Sequence, residues 1–481
     1  MVALLKPVYF GNHTRFVVLF LALLCHTFLK SNTLALNFTI ICMSGNSNQG
    51  LYKDEVASPQ SILGHAYEYS KDERAWLFSV IAVGSLIGSV ATIVLLKFFK
   101  MRAIFTLFGL LSVISTALTP VAAYYGFYWL MLMRFLEGLA TAVTYPAMGS
   151  FTSHWSTLKQ AGLFVVIQNA CVQLGPLFTM PVSGFLCESS LGWQSVFYVH
   201  AVGTLVSFGV FWIFYRDSPY EHRCVSNVEL KEIQKDRHIN DRVRYRVPYR
   251  RIITSFPIIG VWISYVAIAA GYNLFTQYGP IYLNKVLGYN VSETGLAGAV
   301  PFLIAIVSKL LAGPISDYAT CFSQRARILF LASTSQAQLV VCFLLMAFLP
   351  KSAAVGVLLS YCVAINANAL AATGTLKSGQ LVAAQHSPFV MAVINMIHAV
   401  VILVLPHVVS ALAPDNTYAQ WSTVFLVCGS IIATCQFLFI FLARGEPAVW
   451  TQETKMSVHP IDGLNLNLMR SSNSSASNDG P

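Results

Sequence analysis

Runs of about twenty or more mostly apolar residues recur along this chain, and they constrain its fold more than any other feature. A bilayer core about 30 Å thick takes roughly 20 apolar residues per helix, because backbone N–H and C=O groups must be paired there without water. Such runs fall at about 15–43, 74–96, 103–124, 127–151, 160–186, 195–215, 255–281, 292–316, 327–349, 353–376, 387–411 and 420–443, which predicts twelve transmembrane helices. Composition agrees, with 56% of residues hydrophobic and only 10% charged, against about 25% charged in soluble domains. The expected class is therefore an all-α membrane protein. The first run continues as a full span and lacks a small-residue cleavage site, so it reads as a retained helix and not as a signal peptide.

One long polar stretch, RDSPYEHRCVSNVELKEIQKDRHINDRVRYRVPYRR, separates the sixth run from the seventh. It divides the chain into an N-terminal six-helix bundle (1–215), a cytoplasmic linker (216–254), a C-terminal six-helix bundle (255–443) and a polar tail (444–481) with the composition of a disordered segment. Ser226 and Glu229 have capping-box spacing, which predicts a short linker helix over about 227–238. Two six-helix bundles joined by a charged linker are the layout of the major facilitator fold, in which the bundles rock about a site near the membrane midplane. Another polar stretch, about 44–73, reads as an outer loop.

Charge placement predicts orientation. With both termini cytoplasmic, the inner side holds Lys97, Lys100, Arg102, Lys159, Arg325, Arg327, Arg444 and the basic segment 216–251. The outer loops then hold only Lys53, Lys71, Arg74, Lys285 and Lys351, as the positive-inside rule requires. The formal net charge of +10 belongs to loops beside anionic lipid and gives no support to nucleic-acid binding.

The ten cysteines lie mostly within runs and form no C-x-x-C pair, so neither a disulfide framework nor a metal site is expected. No phosphate-loop, G-x-S-x-G or H-E-x-x-H signature is present, and no cofactor or enzymatic activity is expected.

Within the fourth run, MRFLEGLATAVTYPA at 133–147 sets Arg134 and Glu137 one helical turn apart. A helix entering near residue 127 carries them roughly 10 and 15 Å into the hydrocarbon zone. A charge at that depth costs a few kcal/mol even on the mildest scale, so both should face the protein interior. Two readings follow. The residues form a mutually neutralising pair that holds helices together, or Arg134 attracts an anion while Glu137 accepts and releases a proton or orients the arginine.

Several segments match one family in order: YPA at 145–147 with Trp155, GWQSVFYV at 192–199, YRDSPYEH at 215–222, PYRRIITSFP at 248–257, and Pro280 with Tyr282. From about residue 14 to 447 the chain resembles the anion/cation symporter branch of the major facilitators, which contains sialin, the vesicular glutamate transporters and the sodium-dependent phosphate cotransporters. The resemblance implies secondary active transport of an organic or inorganic anion, driven by protons, sodium ions or membrane potential. It also implies anion binding by Arg134. Lys30 in LKSN stands where the family has an arginine, which keeps the charge but loses bidentate carboxylate recognition.

Departures from the family are informative. Compared with the glutamate transporters of that branch, Thr141 stands in place of a second acidic residue, Gly149 in place of a histidine, and Ile268 in place of the arginine of the seventh span. The tenth-span pattern N-x-x-D-I-A-P is replaced by Ser378, Leu381, Val382, Ala383 and Ala384. These differences argue against glutamate specificity and the branch's usual proton coupling.

Other polar residues inside the runs are candidates. Tyr145, Asn273 and Gln277 join Lys30 and Arg134 as expected substrate contacts, although the two amides serve helix contacts equally well. His398 joins Glu137 as an expected coupling group, unless it is a hydrogen-bonded core histidine. Lys309 and Lys377 either attract anions or snorkel to the cytoplasmic side. Asp317 in GPISD, followed by Arg325 and Arg327, resembles the G-x-x-x-D-R motif of major facilitators and is the expected cytoplasmic gate.

The combined reading is a twelve-helix transporter in a lipid bilayer that moves a small anion by alternating access with a coupling cation, H+ or Na+. Plasma membrane and vesicle or lysosome membrane are both open. The alternative is a receptor or scaffold that keeps the fold and binds a ligand without moving it.

Overall fold

In a computed structural model of the chain, the described residues are 10–43, 69–157, 160–234, 248–318, 324–383, 386–444, 446 and 448–451. The first half contains α1 (Thr14–Met43), α2 (Lys71–Leu95), α3 (Met101–Tyr125), a fourth span split into α4 (Phe127–Thr141) and α5 (Thr144–Trp155), a fifth split into α6 (Ala161–Asn169) and α7 (Cys171–Glu188), and α8 (Gln194–Phe214). A linker helix α9 (Asn227–Gln234) and a short α10 (Tyr249–Ile253) lead to the second half. That half contains α11 (Phe256–Ile281), α12 (Val291–Tyr318), α13 (Gln324–Phe348), α14 (Ala354–Ala383), α15 (Ser387–Leu412) and α16 (Tyr418–Leu442).

Ten helical stretches among the described residues are long and apolar enough to cross a bilayer. The split fourth span and α13, whose apolar part is Ala332–Phe348, complete twelve. The expected continuous helices at 127–151 and 160–186 are both interrupted. In the fourth span Pro146 has no N–H for the Ala142 carbonyl and its ring crowds that group, so regular helix stops at Thr141 and restarts at Thr144. The fifth span breaks at Ala170, with no proline at that point.

The linker is built into the first half. At the start of α1 the Arg15 backbone N–H donates to Glu229 Oε1 at 2.9 Å, and its guanidinium pairs with Glu232 at 3.0 Å. Ser226 Oγ accepts from the Glu229 N–H at 3.1 Å, the capping contact that the spacing predicts. Two of the family-like segments meet here. Trp155 Nε1 donates to the Arg216 carbonyl at 3.1 Å, and Asp217 Oδ1 accepts from the Arg102 N–H at 2.9 Å. Above this latch the half packs around Phe105, Phe151, Phe208, Phe211 and Tyr215.

The halves meet at the end of the bundle far from the chain termini, where α1 ends and α2 begins. There α7 crosses α12 at backbone contact distance, and a Cβ placed on Gly295 would lie 2.6 Å from the Met180 carbonyl oxygen. Glu188 Oε1 also accepts from the Ser292 N–H at 2.9 Å. On the other side of the bundle α2 meets α15. Ser79 Oγ donates to the Leu403 carbonyl at 2.9 Å, and Trp76 meets His407 edge-on at 4.8 Å.

Cys42 at the end of α1 is disulfide-bonded to Cys187 at the end of α7, with Cα atoms 6.2 Å apart. This corrects the expectation that no disulfide forms. The cysteines are 145 residues apart and become neighbours only when the fifth span packs on the first. Of the expected gate, Asp317 lies at the end of α12 and Arg325 and Arg327 at the start of α13. Their side chains lie outside the described residues, as do most of the polar stretch 44–73, the linker from 235 to 247, and the tail from 452 onward.

Candidate functional site

A cavity of about 100 Å³ lies between the halves, walled by α1, α2, α11, α15 and both interrupted spans. Lys30, Tyr145, Asn273, Gln277 and His398 all line it, so five of the seven residues expected to bind substrate or couple ions converge on one space. The interruptions themselves face the cavity, through Thr141, Ala142, Thr144 and Tyr145 from one and Asn169, Cys171 and Val172 from the other. The backbone at both breaks stays in the right-handed helical region, so each break is a tightened turn beside the cavity.

Lys30 lies near the middle of α1, with its stem against Gly175, where a Cβ would stand 3.1 Å from Lys30 Cγ. Its ammonium nitrogen is 5.7 Å from the ring centroid of Tyr272, a cation–π contact from one half to the other. No carboxylate is among the described lining residues, so this positive charge has no protein counter-ion in the cavity. Around it the wall is rich in hydroxyl and amide groups. Gln277 Oε1 and His398 Nδ1 have no hydrogen-bond partner among the described residues. Asn273 Nδ2 donates back to the Ala269 carbonyl at 2.8 Å.

Arg134 and Glu137 are placed differently. Both are fully buried, and neither lines the cavity. Arg134 Nη1 contacts Glu137 Oε2 at 2.6 Å and the Thr33 carbonyl at 3.0 Å, while Nη2 donates to Asn37 Oδ1 at 3.0 Å and Nε to the Leu77 carbonyl at 3.3 Å. The arginine thereby ties α4 to α1 and α2, directly behind two cavity residues, Thr33 and Asn37. Its side chain positions the wall without touching the space.

Several lining residues were not among the candidates read from sequence, notably His26, Thr33 and Asn37 on the same face of α1 as Lys30. Spacing was the available signal: 26, 30, 33 and 37 step by four, three and four along a helix.

The Major Facilitator Superfamily description matches residues 19–406. Sialin of Homo sapiens is 26% identical over 406 residues, covering 80% of this chain and 78% of that protein. Sodium-dependent phosphate transport protein 1 of Mus musculus is 24% identical over 453 residues, covering 90% of this chain and 94% of that protein. Among solved structures, a bacterial homologue of the human lysosomal transporter Spinster, in an inward-facing and unoccupied conformation, aligns with a TM-score of 0.68 at 14% identity, covering 89% of this chain and 97% of that one. That likeness speaks to fold alone. With a family match over most of its length, this multi-pass membrane protein belongs to the Major Facilitator Superfamily.

Proposed function

We propose that the protein is a secondary active transporter of a small organic or inorganic anion, working by alternating access. The observation that carries this reading is Lys30, a cation at mid-span in a cavity walled by both halves, with no carboxylate in the described lining. Ionisable groups at membrane depth are expensive and mark ligand or ion pathways. An anionic ligand supplies the missing counter-charge. The name of the mouse relative, which specifies both phosphate and sodium dependence, agrees with an anionic cargo and a coupling cation.

With both termini cytoplasmic, the α7–α12 and α2–α15 seams form the outer gate, and Asp317, Arg325 and Arg327 belong to the inner one. His398 on the cavity wall and Glu137 behind it are the coupling candidates. A proton on Glu137 removes the charge partner of Arg134, loosening the support of Thr33 and Asn37.

Uptake of labelled anions into proteoliposomes under imposed pH, sodium and voltage gradients tests the reading. Lys30→Gln should abolish uptake and Lys30→Arg should retain part of it. Undiminished uptake by Lys30→Gln overturns the assignment. The absence of a second acidic residue at Thr141 favours the receptor alternative, and counterflow separates the two because a receptor gives none.

A further inference from the structure

His26 is wholly buried, lines the cavity, and lies one helical turn from Lys30 on α1. Neither of its ring nitrogens has a hydrogen-bond partner among the described residues. Phe105 and Phe151 flank the imidazole, with ring centroids 4.9 and 6.0 Å away. The equally buried His200 shows the contrast, since its Nδ1 meets the Val196 carbonyl at 2.7 Å and its Nε2 meets Thr179 Oγ1 at 3.3 Å.

An imidazole always carries at least one N–H, and a buried polar group left unpaired is destabilising. Aromatic rings offer only a weak acceptor face. The partner of His26 must therefore come from the cavity. A neutral imidazole presents one donor and one acceptor, which a hydroxyl or a primary amide can answer together.

We propose that His26 is a polar subsite that takes a neutral hydroxyl or amide group of an anion whose charged group rests on Lys30. This rests on the anion-transport reading above and narrows it. Four residues along α1 correspond to a rise of about 6 Å. The ligand then needs a charged group and a neutral hydrogen-bonding group separated by roughly that distance. A single inorganic oxyanion does not span both positions, whereas a substituted organic anion does.

The test is a thermal-shift titration of the purified full-length protein with butyrate and with 4-hydroxybutyrate. The parent should bind the hydroxylated anion about fivefold to tenfold more tightly, the worth of one hydrogen bond. His26→Phe should bind both anions equally at the parent's butyrate affinity, which also shows that the variant is folded. If it does not fold, His26→Leu takes its place. His26→Gln, which keeps a donor and an acceptor, should retain part of the preference.

Equal binding of the two anions by the parent overturns the subsite and leaves the anion reading standing. So does a preference that survives in His26→Phe, or one lost alike in the glutamine variant. Binding of neither anion by the parent overturns both the anion reading and the subsite.

Discussion

Arg134 Nη1 lies 2.6 Å from Glu137 Oε2, and the two side chains are withdrawn completely from the cavity they support. Removing one partner of such a pair leaves a bare charge in the protein interior, at a cost of about 3–5 kcal/mol. Arg134→Met and Glu137→Gln should each lower the melting temperature in detergent. The double variant should lose less than the sum of the two, because no uncompensated charge is left. Strict additivity in thermal unfolding curves would show that the pair does not act as a unit. If Glu137 exchanges a proton during transport, Glu137→Gln should also flatten the pH dependence of uptake.

Gly295 belongs to the seam that closes the far end. A Cβ there meets the Met180 carbonyl at 2.6 Å, and neither backbone can yield without moving α7 from α12. Gly295→Val should bias the protein away from far-end closure. Labelling of a cysteine introduced at Ser292 by a membrane-impermeant maleimide, applied from the far side, should become faster by severalfold. An unchanged rate means that the seam is not the gate.

The disulfide closes a loop of 145 residues. For a soluble chain that length corresponds to about 4–5 kcal/mol of loop entropy. A bilayer already confines both helices in the unfolded chain, so the stabilisation here should be smaller. Non-reducing digestion should yield a linked peptide pair containing Cys42 and Cys187, and Cys42→Ser should lower the melting temperature by a few degrees. Separate peptides under non-reducing conditions would show that the bond does not form in the membrane.

His222 gives the linker a pH dependence. Burial holds its pKa below the ordinary 6.5, with Arg216 acting in the same direction. Its Nδ1 accepts from the Cys224 N–H at 3.2 Å while Nε2 donates to the Phe214 carbonyl at 3.0 Å, an arrangement that only the neutral ring supports. Because the folded state binds this proton less readily than the unfolded chain, the stabilisation is present above pH 6.5 and is lost as pH falls toward the lowered pKa. Melting temperature should decline on acidification from pH 7 to pH 5, and His222→Gln should reduce that decline. A decline of equal size in the variant would assign it to other groups.

The twelve spans were legible because apolar length is a strong signal. Polar residues inside those runs were legible as a group, since anything polar at that depth turns inward. This is why Lys30, Tyr145, Asn273, Gln277 and His398 converge. The same rule did not say which interior surface each residue faces. Arg134 turns toward the carbonyls of Thr33 and Leu77 and not toward the cavity, a choice made by the crossing of α4 with α1 and α2. Pro146 marked the break in the fourth span, while the break at Ala170 has no residue signature. The Cys42–Cys187 bond was invisible because it depends on which helix ends become neighbours.

The two helix interruptions have a consequence for how this cavity can evolve. The breaks at Ala142 and Ala170 set where the side chains on either side of them enter the wall, and that placement belongs to the backbone, which a side-chain substitution leaves in place. A mutational scan of the cavity therefore measures only the share of recognition that side chains hold. The remainder is a constant of the scaffold. Against it, substitutions at lining positions such as 30, 141 and 398 change the side chains of the wall without rebuilding the chamber.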